Sequence, residues 1–216
     1  MTGTTGPLDA TAWDRRYADP AGVWGAAPNV WVVQELGALA PGRAMDLAAG
    51  EGRHALWLAD RGWKVKAVDF SSTGLEVGRN VATAQALGEN IEWIVQDATA
   101  ITPEPGSADL VLVAYLQLPA TQLQAAVTVA AGALAPGGRF LFVSHDASNL
   151  EHGTGGPQDP AVLQTPAQVA GWLRAAGMSI LSAETRTRAV AGKLRPALDC
   201  VVVAQASPGD NERNRA

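Results

Sequence analysis

Residues 44–69 read AMDLAAGEGRHALWLADRGWKVKAVD. In this stretch an aliphatic run of strand length leads into two glycines, then a helical pattern, then a second aliphatic run that ends in Asp69. Gly50 and Gly52 allow the backbone to approach a bound small molecule where a side chain would collide. Asp69 lies 17 residues after Gly52 (69 − 52), at the carboxyl end of the second strand, where a carboxylate can accept hydrogen bonds from both hydroxyls of a ribose. The stretch predicts a βαβ unit that holds a nucleoside.

The residues around the glycine turn indicate which nucleoside is bound. A dinucleotide site needs the G-x-G-x-x-G spacing, and residues 50–55 fit it only in its relaxed form, with Ala55 at the third place. Asp46 lies inside the strand before the turn, and Glu51 lies between the glycines, where its charge would oppose a pyrophosphate. Both acids suit a ligand that carries an ammonium and a sulfonium, which is S-adenosylmethionine (SAM). A dinucleotide site and a glycine turn without a ligand remain the alternatives.

On these motifs the chain resembles the class I SAM-dependent methyltransferases. DLAAGEG at 46–52 matches the D-x-G-x-G-x-G motif, with Ala48 in place of the first glycine. VDF at 68–70 matches the acidic ribose motif, and IVQDA at 94–98 matches the segment whose acid meets the adenine amino group. LAPGGRF at 134–140 matches the turn into the fifth strand.

A closer likeness is to the small bacterial tellurite-resistance-type branch, which is similar to thiopurine methyltransferases. It is carried by WDRRY at 13–17, VWGAAPN at 23–29 and GEGRHALWLA at 50–59. The resemblance covers roughly residues 12–205 and is specific for the cofactor, much less so for the substrate.

The resemblance implies SAM as cofactor, S-adenosylhomocysteine as product, and a set of cofactor-binding residues. Asp69 would hold the ribose, although it could instead cap the helix that follows. Asp97 would accept a hydrogen bond from the adenine amino group, beside the backbone amide of Ala98. Arg53 would pair with the cofactor carboxylate or an anionic substrate, or remain a solvated side chain. The full set is Trp24, Asn29, Asp46, Ala48, Ala49, Gly50, Gly52, Arg53, Asp69, Phe70, Gln96, Asp97, Ala98 and Ala114.

The rest of the chain alternates strand and helix patterns as α/β folds do. Thr73 with Glu76 forms a possible capping box for the second helix, and Gly62, Gly88 and Gly137 stand where helices should stop. With a pair of strands at the end, the resemblance implies a Rossmann-like, doubly wound, seven-stranded sheet, mostly parallel with an antiparallel last strand. The predicted strands are 43–48, 64–69, 91–96, 109–114, 138–144, 178–188 and 197–205, and the predicted helices are 52–61, 73–87 and 120–135.

One domain at 12–205 is expected, because 216 residues suffice for a single hydrophobic core. Within it, 12–40 would form an N-terminal helical cover and 145–165 a substrate lid. The small, polar ends at 1–11 and 206–216 are predicted to be disordered.

The segment after the fifth predicted strand holds the candidate catalytic residues. Long loops at the carboxyl ends of strands often cover substrates, and the loop at 144–160 contains two of the three histidines. The hypothesis is that His145 contacts the substrate or removes its proton, with Asp146 or Tyr115 assisting. His145 could instead only hydrogen-bond the lid to the domain. With His152, these residues match no recognised metal-ligand spacing, so no metal is predicted.

Net charge and composition indicate which kinds of binding partner to expect for the protein. A net charge of −5 and a pI of about 5.2 do not favour nucleic-acid binding, and the chain lacks both the Asn/Asp-Pro-Pro-Tyr/Phe and the Pro-Cys segments of nucleic-acid methyltransferases. The lone Cys200 permits no intramolecular disulfide, so a cytoplasmic protein is expected. Neither a membrane span nor a secretion signal is recognisable.

The sequence therefore predicts a methyltransferase that transfers a methyl group from SAM to a small-molecule nucleophile. The nucleophile would be a thiol, a selenium or tellurium oxyanion, an oxygen or a nitrogen, and the protein a monomer or homodimer. A SAM-binding sensor or partner protein without turnover is the alternative, and a nucleotide-dependent oxidoreductase is a third possibility.

Overall fold

A computed structural model describes residues 10–19 and 25–208. The strands are β1 (Arg43–Leu47), β2 (Lys64–Asp69), β3 (Ile91–Val95), β4 (Ala108–Ala114), β5 (Leu134–His145), β6 (Met178–Arg188) and β7 (Ala197–Ala206). The helices are α1 (Ala10–Tyr17), α2 (Val30–Leu36), α3 (Arg53–Asp60), α4 (Ser72–Ala84), α5 (Ala120–Ala131), α6 (Asn149–His152) and α7 (Pro166–Ala175), with short 3₁₀ turns at Gly88–Asn90 and Pro160–Val162.

The seven strands form one sheet in the order β3-β2-β1-β4-β5-β7-β6. Strands β3, β2, β1, β4 and β5 run parallel to one another. Strand β7 lies between β5 and β6 and runs antiparallel to both. The chain order reverses between β1 and β4, so the crevice at their carboxyl ends is the expected ligand site. The predicted fold class is confirmed.

Helices cover both faces of the sheet. On one face, Val111, Phe140 and Phe142 pack against α5 and α7. On the other face, Leu110 and Leu141 pack against α2, α3 and α4. Because alternate residues of the central strands enter opposite cores, these strands read as continuous apolar runs.

The start of β5 differs from the prediction. Helix α5 ends at Ala131 rather than residue 135, and β5 begins at Leu134. Ala108 of β4 pairs with Leu134 of β5, and Leu110 pairs with Arg139. Between these two pairs β4 advances by two residues and β5 by five. The extra residues form a bulge in which Gly137 has a φ of +76°. Gly137 therefore does not stop a helix; it supplies the left-handed conformation that the bulge needs.

The start of α4 also differs. Its N-cap is Ser71, whose Oγ accepts a hydrogen bond from the amide of Gly74 at 3.0 Å. The predicted capping box is wrong, because Thr73 lies inside the helix and Glu76 pairs with Arg79.

Parts of the predicted ends lie outside the described residues, namely 1–9 and 209–216. Ala10 and the following residue belong to α1, and β7 extends to Ala206. Trp24 also lies outside the described residues. Within the described ranges, no helix has the length and apolar character needed to cross a membrane.

The side chain of Trp93 lies under the glycine turn and leaves no room for a Cβ at Gly52 or Gly78. The ring of Trp93 in β3 packs against Gly52 and Gly78. A Cβ at Gly78 would lie 2.5 Å from that ring and 2.7 Å from the carbonyl oxygen of Glu51. Helix α4 therefore approaches the turn closely only because residue 78 has no side chain.

We expect Gly78→Ala to destabilise the protein by about 1–3 kcal/mol, because the added methyl overpacks a site closed partly by backbone. The matched control is Gly171→Ala in α7, where a Cβ meets nothing within 4 Å. That change should stabilise the protein by about 0.5–1 kcal/mol. Urea unfolding at constant pH measures both, and equal effects would contradict the packing argument.

Candidate functional site

A cavity of about 270 Å³ opens at the carboxyl ends of β1, β2 and β4. The glycine turn forms its floor, α1 covers one side, and the segments after β3 and β4 form the remaining walls. The lining residues are Trp13, Tyr17, Ala48, Ala49, Gly50, Glu51, Arg53, His54, Asp69, Phe70, Asp97, Ala98, Thr99, Ala114, Tyr115, Leu116, Gln117, Leu118 and Gln122.

The turn after β1 holds three left-handed residues. The φ angles are 61° at Ala48, 57° at Gly50 and 73° at Gly52. Ala48 stands where the D-x-G-x-G-x-G motif has its first glycine, and its side chain makes this conformation costly, by about 1 kcal/mol. The turn keeps this geometry because the residues on either side are hydrogen-bonded and packed.

Protein side chains fill the space beside the two glycines. A Cβ at Gly50 would lie 2.5 Å from the hydroxyl of Tyr17, and one at Gly52 would overlap the ring of Trp93. The predicted reason for these glycines, close approach of a ligand, is therefore incomplete: intramolecular packing already requires both. The turn is shaped before any ligand binds.

Helix α1 contributes to the cavity in a way that the sequence prediction missed. Tyr17 is buried on the turn, and its ring stacks on Trp13 with centroids 5.4 Å apart. Asp14 anchors the helix by accepting hydrogen bonds from the hydroxyl of Ser71 and the amide of Thr73. The WDRRY motif was the available signal, although it was used only for the family resemblance.

Asp69 is tied to the glycine turn. Its Oδ2 accepts a hydrogen bond from the amide of Gly50 at 2.8 Å, and its Oδ1 accepts one from the amide of Ser71 at 2.8 Å. The residue is only 4% exposed yet lines the cavity, and burial raises its pKa. Each carboxylate oxygen has a second acceptor site, so Asp69 can bind ribose hydroxyls while it supports the start of α4.

Asp46 is a buried acid that lies beneath the turn. It is 1% exposed, and among the described residues neither carboxylate oxygen has a hydrogen-bond partner. Burial raises the pKa of Asp46 to about 7. A cationic ligand group near the turn, such as the ammonium of SAM, would offset this cost, so the site fits that cofactor.

The segment after β3 forms the side predicted to hold adenine. Asp97 is exposed at the cavity, and its Oδ1 accepts hydrogen bonds from the amide and hydroxyl of Thr99, both at 2.8 Å. Phe70 and Ala98 line the same side. Gln96 instead donates its side-chain amide to the carbonyl of Ala100 at 3.1 Å, outside the cavity lining.

Tyr115 forms the wall opposite the adenine side. It has a φ of 60°, a strained conformation for a residue with a side chain, and such strain often marks a functional position. Its hydroxyl accepts a hydrogen bond from Nδ2 of Asn29 at 2.7 Å. Arg53 lies over its ring at 6.0 Å. Asn29 thus supports the cavity wall rather than lining it.

The amide of Asn29 also donates to Nε2 of His54 at 3.3 Å. Burial lowers the pKa of His54 to about 3, so this imidazole is neutral near pH 7. Its Nε2 therefore accepts a hydrogen bond from the backbone without adding a positive charge beside Arg53, whose own pKa is lowered by burial.

The two other residues predicted to act in catalysis lie behind Tyr115 rather than at the cavity. The ring of His145 lies 5.2 Å from that of Tyr115, and its Nδ1 lies 3.5 Å from Oδ1 of Asp199. Asp146 is turned away: it accepts hydrogen bonds from the amide and hydroxyl of Ser148 and from the hydroxyl of Thr185. Its side chain supports the loop and β6.

The predicted lid packs on His145 and on β7. The side chain of Asn149 donates to the carbonyl of Gly155 at 2.9 Å and accepts from the amide of Leu198 at 2.8 Å. A Cβ at Gly156 would lie 2.7 Å from the His145 ring. The segment 145–165 is entirely described, and none of its residues lines the cavity.

The structure thus separates the predicted site residues into two groups. Those that line the cavity are Ala48, Ala49, Gly50, Arg53, Asp69, Phe70, Asp97, Ala98, Ala114 and Tyr115; those that lie beneath or behind it are Asn29, Asp46, Gly52, Gln96, His145 and Asp146. The prediction missed Trp13, Tyr17, His54, Thr99, Leu116, Gln117, Leu118 and Gln122. Among the described residues, no group of three His, Cys, Asp or Glu side chains could hold a metal ion.

We expect Asp46→Asn to change how stability depends on pH. A carboxyl whose folded pKa of about 7 exceeds its unfolded value stabilises the fold fully only below the unfolded pKa, near 4, and that stability is lost as pH rises through 7. Without SAM, the free energy of unfolding of Asp46→Asn relative to the natural protein should therefore rise by about 1–3 kcal/mol between pH 4 and pH 8. Urea unfolding at both pH values measures this.

The control is Asp60→Asn, an exposed aspartate at the end of α3, which should show no such difference. A pH-independent effect of Asp46→Asn would mean that the charge of Arg53 and the amide of Ala55, which both lower the pKa of Asp46, offset its burial.

The chain is similar to known methyltransferases over part of its length. A family model described as a methyltransferase domain matches residues 44–138. The ubiquinone/menaquinone biosynthesis C-methyltransferase UbiE of Acidiphilium cryptum is 37% identical over 98 residues, 45% of this chain and 39% of that protein. The chain spans about two fifths to half the length of the curated relatives it matches.

Among solved structures, a protein of echinomycin biosynthesis, studied for the conversion of a disulfide bond into a thioacetal group, matches with a TM-score of 0.67 at 21% identity, over 88% of this chain and 85% of that one. TehB from Haemophilus influenzae matches with a TM-score of 0.68 at 14% identity, over 83% of this chain and 63% of TehB. At these identities the likeness shows the fold alone, and it does not distinguish the tellurite-resistance-type branch. Residues 44–138 are therefore similar to a methyltransferase domain.

Proposed function

We propose that this protein transfers a methyl group from SAM to a small-molecule nucleophile. The observation that carries the proposal is the fixed geometry at the floor of the cavity. A buried aspartate at the end of β2, Asp69, is hydrogen-bonded to the amide of Gly50 in the left-handed turn. This arrangement presents a carboxylate and a closely approachable backbone to the same ligand.

Each part of SAM has a candidate partner. Asp69 would accept hydrogen bonds from the ribose, and Asp97 from the adenine amino group. Asp46 would attract the ammonium of SAM across the turn, and Arg53 would pair with the carboxylate of SAM. When bound, SAM supplies the activated methyl group, so the protein chiefly orients the reactants and excludes water.

The acceptor would bind beside Tyr115. The segment that follows β4 lines the cavity with Leu116, Gln117 and Leu118, and α5 adds Gln122. An apolar wall with a few polar groups suits a small organic molecule. His145, behind Tyr115, is the candidate base for an acceptor that carries a proton.

Two lines of support favour different accepting atoms. The branch resemblance favours a soft nucleophile, namely a thiol or a selenium or tellurium oxyanion, with oxygen or nitrogen as further options. The curated relatives are named as C-methyltransferases of quinone biosynthesis, which favours a ring carbon of a hydroxylated aromatic compound.

The single cysteine, Cys200, is buried, so no disulfide calls for an oxidising compartment, and we place the activity in the cytoplasm.

Binding of S-adenosylhomocysteine tests the cofactor site. We expect the natural protein to bind it and Asp69→Asn to bind it about 10- to 100-fold more weakly, because hydrogen bonds to a charged group contribute roughly 1.5–3 kcal/mol. Titration calorimetry measures the affinities, with Asp60→Asn as the matched control that should bind normally. Failure of the natural protein to bind would overturn the proposal.

Turnover is tested separately with methyl-labelled SAM and a panel of acceptors: thiols, selenite and tellurite, phenols and amines, and hydroquinones. We expect S-adenosylhomocysteine to form with at least one acceptor class, and the labelled product identifies the accepting atom. Cofactor binding without turnover on any class would instead support the SAM-binding sensor.

A further inference from the structure

The carboxylate of Asp199 is a densely connected polar group outside the cavity. It lies in β7 and is 0% exposed. Its Oδ2 accepts hydrogen bonds from Nε1 of Trp31 at 2.9 Å and from Nε of Arg188 at 2.6 Å. Its Oδ1 accepts a second bond from Arg188 at 3.2 Å and lies 3.5 Å from Nδ1 of His145. We call Trp31, Tyr115, His145, Arg188 and Asp199 the Asp199 cluster.

The sheet topology creates this cluster. Because β7 is antiparallel to β5, Asp199 stands directly opposite His145 in the ladder, at the edge where the cavity opens. Arg188 approaches from β6 and Trp31 from α2. A buried carboxylate in such a place is costly unless it is paired, and the two-point bond from Arg188 meets that need.

We infer that Asp199 is the positioning residue that holds His145 in the Nδ1–H tautomer, so that Nε2 is the nitrogen that accepts a proton from the methyl acceptor. This inference rests on the proposed function, since the proton comes from the acceptor. It replaces Asp146, which the sequence suggested as the assisting carboxylate.

The electrostatics at Nδ1 select the tautomer. Nδ1 is buried, and among the described residues it has no hydrogen-bond partner, so a proton placed there has Asp199 as its acceptor after a small rotation of the ring. In the other tautomer a nitrogen lone pair would face a carboxylate oxygen at 3.5 Å, which is repulsive. An unsatisfied buried group costs about 1–3 kcal/mol, enough to favour the Nδ1–H form strongly.

The surroundings keep His145 neutral and fixed. Burial lowers its pKa, opposed by Asp199 and assisted by Arg188. Tyr115 packs on the ring from the segment after β4, and Gly156 packs on it from the loop. Of the side chain, 14% is exposed. A neutral, oriented imidazole is the form that a general base requires.

The proposed proton transfer balances as follows. The Nε2 lone pair of His145 takes the proton of an acceptor X–H. The electron pair of that bond forms the new bond from X to the methyl carbon, and the pair of the breaking carbon–sulfur bond remains on sulfur. Asp199 keeps its charge throughout, and its hydrogen bond to Nδ1–H strengthens as the imidazole becomes cationic.

Imidazole nitrogen NMR tests the inference without an acceptor. The chain has three histidines, so substituting His145→Gln assigns its signals in long-range proton–nitrogen spectra at pH 8. We expect the natural protein to show His145 as the Nδ1–H tautomer. Asp199→Asn should lower the ratio of the Nδ1–H to the Nε2–H form by about tenfold, because a charge-assisted bond becomes a neutral one.

Asp146→Asn is the matched control, and it should leave the His145 tautomer unchanged, because the Asp146 side chain bonds to Ser148 and Thr185. An Nε2–H tautomer in the natural protein would overturn the inference, and this measurement needs no variant of Asp199 or Asp146. An equal response to Asp146→Asn and Asp199→Asn would also overturn it.

A kinetic experiment adds the functional consequence. With an acceptor from the panel that carries a titratable proton, Asp199→Asn should lower kcat by up to about tenfold, because the same shift in tautomer lowers the fraction of His145 that can accept a proton at Nε2, with KM for SAM unchanged. Calorimetry with S-adenosylhomocysteine separates the two proposals. Absence of binding in the natural protein defeats the proposed function, whereas normal binding with unchanged kcat in Asp199→Asn defeats this inference alone.

Discussion

The hydrogen bond from the amide of Gly50 to the carboxylate of Asp69 is the constraint on which the site depends. It joins the turn after β1 to the end of β2, and the second oxygen of the same carboxylate holds the start of α4 through Ser71. The turn can therefore keep its left-handed residues, including the strained Ala48. Three elements meet at one acid, and the cavity lies over that point.

Packing holds the same turn from the other direction. Tyr17 fills the space beside Gly50, and Trp93 fills the space beside Gly52. The glycines are thus needed by the protein itself, and the approach of a ligand uses a surface that is already shaped. Preorganisation of this kind lowers the entropy that binding must overcome.

Four buried aspartates at the carboxyl edge have different environments, and Asp146 accepts hydrogen bonds from Ser148 and Thr185. Asp69 accepts backbone amides, Asp199 pairs with Arg188, and Asp46 has no hydrogen-bond partner among the described residues. Burial raises the pKa of the unpartnered Asp46 to about 7. The difference follows from what surrounds each carboxylate.

The sequence by itself determined the sheet, the cofactor class and most of the cavity floor. These depend on local patterns: apolar runs of strand length, a glycine turn, and an acid at a fixed distance from it. Where local patterns competed, the prediction failed. Ser71 rather than Thr73 caps α4, and Gly137 serves a bulge rather than a helix end.

Only the tertiary structure decided which distant residues meet behind Tyr115. Asp146 is adjacent to His145 in the chain, yet successive residues of a strand point to opposite faces, so its side chain turns away. Asp199 is 54 residues farther along (199 − 145) and faces His145 because β7 returns antiparallel to β5. Strand pairing of this kind joins residues whose separation carries no sequence signal, which is why the partner of the histidine emerged from the fold.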